Sequence, residues 1–75
     1  MARTRLHTGT VASFDDDAGL GTVRAADGRE LPFHCTAIAD GSRHIELRTP
    51  VAFTVRPGPA GRWEAVGLTP TAPPG

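Results

Sequence analysis

The sequence predicts an all-β domain whose five short antiparallel strands close into a small Greek-key barrel, and three observations carry that prediction. Nine glycines and seven prolines punctuate the 75 residues at short intervals, leaving little room for a helix of ordinary length. The segments between them are rich in Val, Thr, Phe and Ile and show no sustained helical period of apolar residues. Several alternate apolar and polar residues instead, the pattern of a strand with one buried face. Closure follows because an open sheet would expose two unpaired edges. An SH3-like barrel, with the same strand count and similar loop lengths, is the structural rival.

The first strand covers 8–14 and is ended by Asp15-Asp16-Asp17, whose carboxylates suit a turn because they bond nearby backbone amides. The second covers 19–25. Asp27-Gly28 supplies a tight hairpin, since Gly tolerates positive φ, and 29–34 returns as the third strand. In it Leu31 and Phe33 face the core while Glu30, Pro32 and His34 face outward. Pro32 has no N–H to give, so this strand belongs at an edge or bulge. Residues 35–39 suit a single helical turn. In the loop that follows, Ile45 and Leu47 are the sizeable apolar residues, and at least one is expected to plug the open end of the core. Val51, Phe53 and Val55 alternate with Ala52, Thr54 and Arg56 in strand four, Pro57-Gly58-Pro59-Ala60-Gly61 turns the chain, and strand five covers 62–68. Phe33 and Phe53 are assigned to the core. The domain spans 6–69, with 1–5 expected to be flexible and the Pro-rich 70–75 expected to be disordered.

Composition narrows the function. Eight arginines balance eight acidic residues, and Lys, Asn, Gln and Tyr are absent. Arginine supplies phosphate-binding charge without lysine, yet zero net charge lacks the basic excess usual in nucleic-acid modules. A chain this short buries only roughly 60% of its unfolded surface, too little for a deep substrate cavity as well as a core, so no enzyme is expected. Cys35 is alone, which excludes an internal disulfide, and neither it nor the three histidines show metal-ligand spacing. Asp15-Asp16-Asp17 lacks the spaced ligands of a calcium loop, and Gly19-Leu20-Gly21 lacks the Lys-Ser/Thr of a phosphate loop. His34 beside Cys35 invites a dyad, but adjacent strand residues point to opposite faces. No metal or cofactor is predicted. Met1 precedes Ala2-Arg3-Thr4-Arg5 rather than the apolar stretch of a signal peptide, so the chain reads as cytoplasmic.

Gly9-Thr10-Val11-Ala12-Ser13-Phe14, Ala18-Gly19-Leu20-Gly21-Thr22-Val23 and Leu31-Pro32-Phe33-His34-Cys35-Thr36-Ala37-Ile38 stand in order along the chain. With Val51-Ala52-Phe53 and Glu64-Ala65-Val66-Gly67-Leu68, they resemble the cold-shock domain family. There the corresponding patterns are G-x-V-K-W-F, K-G-F-G-F-I, V-F-V-H-F-S-A-I, V-x-F and A-x-N-V. The resemblance runs from Gly9 to Leu68, allowing one deletion in the 40–50 loop and one insertion near 58–62. It implies a five-stranded OB-type barrel that binds single-stranded RNA or DNA, in the manner of an RNA chaperone or a modest transcriptional regulator.

The family stacks bases on surface aromatics, each worth ~1–3 kcal/mol, and this chain has lost most of them. Ser13 stands for the family's Trp, Leu20 and Thr22 for the two Phe of the glycine motif, and Pro32 and Cys35 for the Phe residues flanking the His. The loop Phe is absent near Ser42, and Thr10 and Ala12 replace lysines. Phe14 and His34 alone remain of the set. Losing two partners at ~1 kcal/mol each lowers affinity roughly tenfold to a hundredfold. The candidate nucleic-acid site is therefore His34, Leu20, Thr22 and Arg24, with Ser13, Phe14, Arg56, Arg62 and Trp63 around it. Each also has a plainer reading: an exposed strand residue for His34, a solvated face for Leu20, Thr22 and Arg24, and packing at the barrel end for Phe14. Trp63 either stacks bases or caps the barrel, and Arg56 and Arg62 either meet phosphate or serve solubility. The alternative function is association with a protein partner or a homodimer through an apolar patch of Leu20, Pro32 and Cys35.

Overall fold

A computed structural model describes residues 6–39, 41, 43–58 and 61–71. The expected flexible segment 1–5, the position of the family's loop Phe near Ser42, and residues 72–75 of the expected tail lie outside the described residues. The strands are β1 (His7–Asp15), β2 (Leu20–Ala25), β3 (Glu30–His34), β4 (Pro50–Pro57) and β5 (Trp63–Pro70), with one 3₁₀ turn over Cys35–Ala37. They form a single antiparallel sheet in the order β3-β2-β1-β4-β5. The all-β class and the five strands are those the sequence predicts.

Two expectations change. The ladder does not close into the expected barrel, because β3 and β5 stand at its two ends. They are tied just beyond β3, by a parallel bridge between Ile38 and Leu68 and a 2.8 Å bond from Ala39 N to Leu68 O. Pro32 has no N–H to offer a further strand, and Cys35 N continues the pairing of β3 with β2 by donating to Gly19 O at 2.8 Å. The second change is at Pro70, assigned by sequence to the tail. It pairs with Val51 in β5, and Thr71 N bonds Pro50 O at 2.8 Å, because the missing proline donor is harmless at the sheet's outer edge.

The turns follow their side-chain chemistry. Asp15 Oδ1 accepts from Asp17 N at 3.0 Å and Ala18 N at 3.2 Å, and Gly19 takes φ 67°, so β2 begins one residue later than predicted. At the β2–β3 hairpin, Gly28 at φ 93° gives its N–H to Ala25 O at 2.9 Å. Asp27 Oδ1 accepts from Arg29 N at 3.0 Å, and that bond first among the influences of Arg29 holds the carboxyl below its ordinary range.

Val11, Val23, Leu31, Phe33, Val51, Phe53 and Leu68 form the core, with Ile45 sealing it and Leu47 exposed. Ala52 is buried as well, contrary to simple alternation. It lies between Thr8 of β1 and Thr69 of β5. Two irregularities set which residues face out. Ala12 is an extra residue opposite β2, so Ala12 and Ser13 are both exposed and Phe14 turns inward. On β5 the extra residue coincides with Gly67 at φ 64°, a left-handed conformation suited to a bulge.

Candidate nucleic-acid interface

The registers of β1–β2 and β2–β3 assemble the outer face in three rows. Asp15, Leu20 and His34 form one row, Ser13, Thr22 and Pro32 the next, and Thr10, Arg24 and Glu30 the third. The Ala12 bulge is what makes this possible, because without it Ser13 would face the core and Phe14 the solvent. The structure thus brings together His34, Leu20, Thr22, Arg24 and Ser13 as proposed from the sequence. Leu20 is 51% exposed, an apolar contact open to a ligand.

Phe14 is not on this face. Its ring stacks on Phe33 at 5.8 Å between centroids and 8° between planes, and meets His44 edge-on at 5.8 Å. Among the sequence-proposed site residues it is the one turned into the core, half-buried beneath Gly21. A side chain at Gly21 would meet Phe33 Cζ at 2.5 Å and Ser13 O at 2.6 Å. The glycine motif therefore admits the aromatic stack rather than a ligand.

Charge on the face is largely cancelled. Arg24 Nη2 donates to Glu30 Oε2 at 2.8 Å, and Asp15 stands in the row with His34. The Arg24–Glu30 pair is exposed and worth at most about 1 kcal/mol, so a phosphate can displace it. It would then sit beside the freed carboxylate, which removes most of the gain. Arg56 shares a groove of about 300 Å³ with His34 and Thr36, and its Nε donates to Glu64 Oε1 at 2.8 Å. Arg62 and Arg48 have no ion pair among the described residues.

His34 is exposed, and its Nδ1 lies 3.1 Å from Thr36 Oγ1 and 3.4 Å from Thr36 N. These contacts fix the ring against the 3₁₀ turn. Cys35 opens that turn rather than continuing the strand, so its Sγ lies 3.8 Å from His34 Nδ1 instead of on the opposite side. Trp63 is 52% exposed at the start of β5. It lines a groove of about 370 Å³ with Arg62, Arg29, Glu30 and Pro32, which places it across the β3 edge from the row of Pro32.

One feature escapes sequence reasoning. His44 Nδ1 lies 2.6 Å from Asp16 Oδ1 and its Nε2 2.7 Å from Glu46 Oε2. Both ring nitrogens face carboxylate oxygens, an arrangement satisfied fully by the doubly protonated ring. The bonds to Glu46 and then Asp16 raise its pKa. Asp16 is 28 residues away in the chain, so no local spacing announces the pairing. Among the described residues no group of three or more His, Cys, Asp or Glu is placed to hold a metal ion.

No protein-family model matches the chain, and no curated protein matches it. Among the described residues no helix is long and apolar enough to cross a membrane.

Proposed function

We propose that this chain is a cold-shock-like domain of the OB type that binds single-stranded RNA or DNA weakly and with little sequence readout, on the outer face of β1–β3. The observation that carries the reading is the register that sets Leu20 against His34 and Thr22 between Ser13 and Pro32. It leaves a low, exposed surface with one ring and one leucine, on which a strand of bases can lie with its backbone in solvent. The strand order supports the barrel assignment: β4-β1-β2-β3 is the spatial order of a Greek key, and the Ile38–Leu68 bridge brings the two ends of the sheet together. Gly67 adds to it. It stands where the family pattern has Asn, and at φ 64° both are residues that accept the left-handed conformation.

The test is a titration of a labelled, mixed-sequence single-stranded oligonucleotide followed by anisotropy at low and physiological salt. Saturable binding that weakens with salt and falls in His34→Ala and Leu20→Ala is expected, while the absence of saturation at low salt defeats the reading. A second reading, self-association through the same face, draws on the exposed Leu20 and Leu47 beside the neutralised Arg24. A mass that rises with concentration in sedimentation, in a protein indifferent to oligonucleotides, would select it.

A further inference from the structure

We propose that the groove between the β3 edge and the start of β5 is a nucleobase subsite, in which a base stacks on Trp63 while Arg62 meets the adjoining phosphate. The proposal rests on the single-strand-binding reading above and extends it from the sheet face to a second location. Three observations lead there. The indole is the largest exposed ring among the described residues and, at 52% exposure, has surface open to a ligand. It shares its groove with Pro32, the same residue that ends the Ser13–Thr22–Pro32 row. A strand lying on the face therefore reaches Trp63 by continuing across β3, without leaving the surface.

The third observation is charge. Within the groove Glu30 is engaged by Arg24, and Arg29 gives its Nε–H to Asp27. Arg62 has no acidic partner among the described residues. An indole with an uncommitted guanidinium next to it in sequence offers both things a nucleotide presents, a π-face and a phosphate. The outer face, by contrast, has its arginine neutralised and only His34 as a ring. The stacking lost with the family's strand aromatics is thus regained in part at the sheet edge.

Trp63 is the sole tryptophan and the chain has no tyrosine, so intrinsic emission reports on this groove alone. The experiment titrates the full chain with short single-stranded oligothymidylate, reading Trp63 emission and the anisotropy of the labelled strand in parallel. A proline-rich peptide, the other ligand that aromatic grooves take, is titrated alongside. The expected result is quenching with the same midpoint as the anisotropy, and a loss of affinity in Trp63→Ala of roughly 5- to 150-fold. Trp63→Phe retains a ring and should recover part of that loss, which a purely structural role for the exposed indole would not predict. Strand binding with unmoved emission and unchanged affinity in Trp63→Ala overturns the subsite and leaves the face reading standing. No strand binding at all overturns both, and a response to the peptide alone assigns the groove to protein ligands.

Discussion

If a single strand binds on the proposed face, the salt dependence of binding counts the arginines that meet phosphate, and the proposed site has two without a carboxylate partner among the described residues. Of the arginines near the face and its edge groove, Arg24, Arg29 and Arg56 donate to carboxylates. Arg62 and Arg48 do not, and Arg48 lines a groove with Thr10, Ala12, Arg24 and Leu47 beside the face. Each phosphate neutralised on a single strand contributes a slope of about −0.7 to log Kobs against log salt, so two give about −1.4. Between about 50 and 200 mM salt, affinity should then fall about sevenfold. Arg62→Ala should halve the slope to about −0.7 and reduce that fall to between about two- and threefold. The assay is the anisotropy titration repeated at four or more salt concentrations, with far-UV circular dichroism confirming that the variant is folded. A wild-type slope near zero would show that phosphate is not contacted. A slope as steep as about −3 would refute the count, since it requires the paired arginines to abandon Glu30, Asp27 and Glu64.

Gly21→Ala should destabilise the fold, because its methyl would meet both a buried ring and the Ser13 carbonyl, at 2.5 and 2.6 Å. Overpacking of this kind costs about 1–3 kcal/mol, or a fall in Tm of about 5–20 °C for a domain of this size; a thermal melt within about 2 °C of wild type would show that the Phe14–Phe33 stack yields easily. The His44 contacts predict a pH-dependent contribution. A histidine whose folded pKa is raised stabilises fully below its unfolded value, ordinarily near 6.5, and that support is lost as pH rises through the higher folded value. The Tm gap between wild type and His44→Gln should therefore be widest near pH 5.5 and shrink at higher pH, and an equal gap at pH 5.5 and 9 would contradict the ion-pair geometry.

Much of the fold was legible in the linear sequence because its determinants are local. Alternation placed Leu31 and Phe33 inside and Glu30, Pro32 and His34 outside, and the structure has them so. Asp15 and Gly28 carry their turn chemistry wherever they occur, and the turns form there. That Ile45 or Leu47 would plug the core was legible because the loop has so few other apolar groups to bury, and the structure selects Ile45 and leaves Leu47 exposed. Period-two reasoning failed where a single residue broke the register. The Ala12 bulge sends Ser13 out and Phe14 in, and nothing in the residues around Ala12 announces it.

What remained for the tertiary structure was everything that joins residues distant along the chain. The register of β1 against β2 and of β2 against β3 determines that Ser13, Thr22 and Pro32 share a row. The approach of β5 to β3 determines that Trp63 and Pro32 line one groove. Pairing decides which arginines have a carboxylate partner, since Arg24 and Arg56 meet Glu30 and Glu64 across neighbouring strands while Arg62 meets none among the described residues. The sequence by itself determined the strands, the turns and most of the core, because side-chain alternation and backbone preference act within a few residues. The face, its charge and the groove at its edge were decided only by folding, because cross-strand partners are chosen by the topology that brings them together.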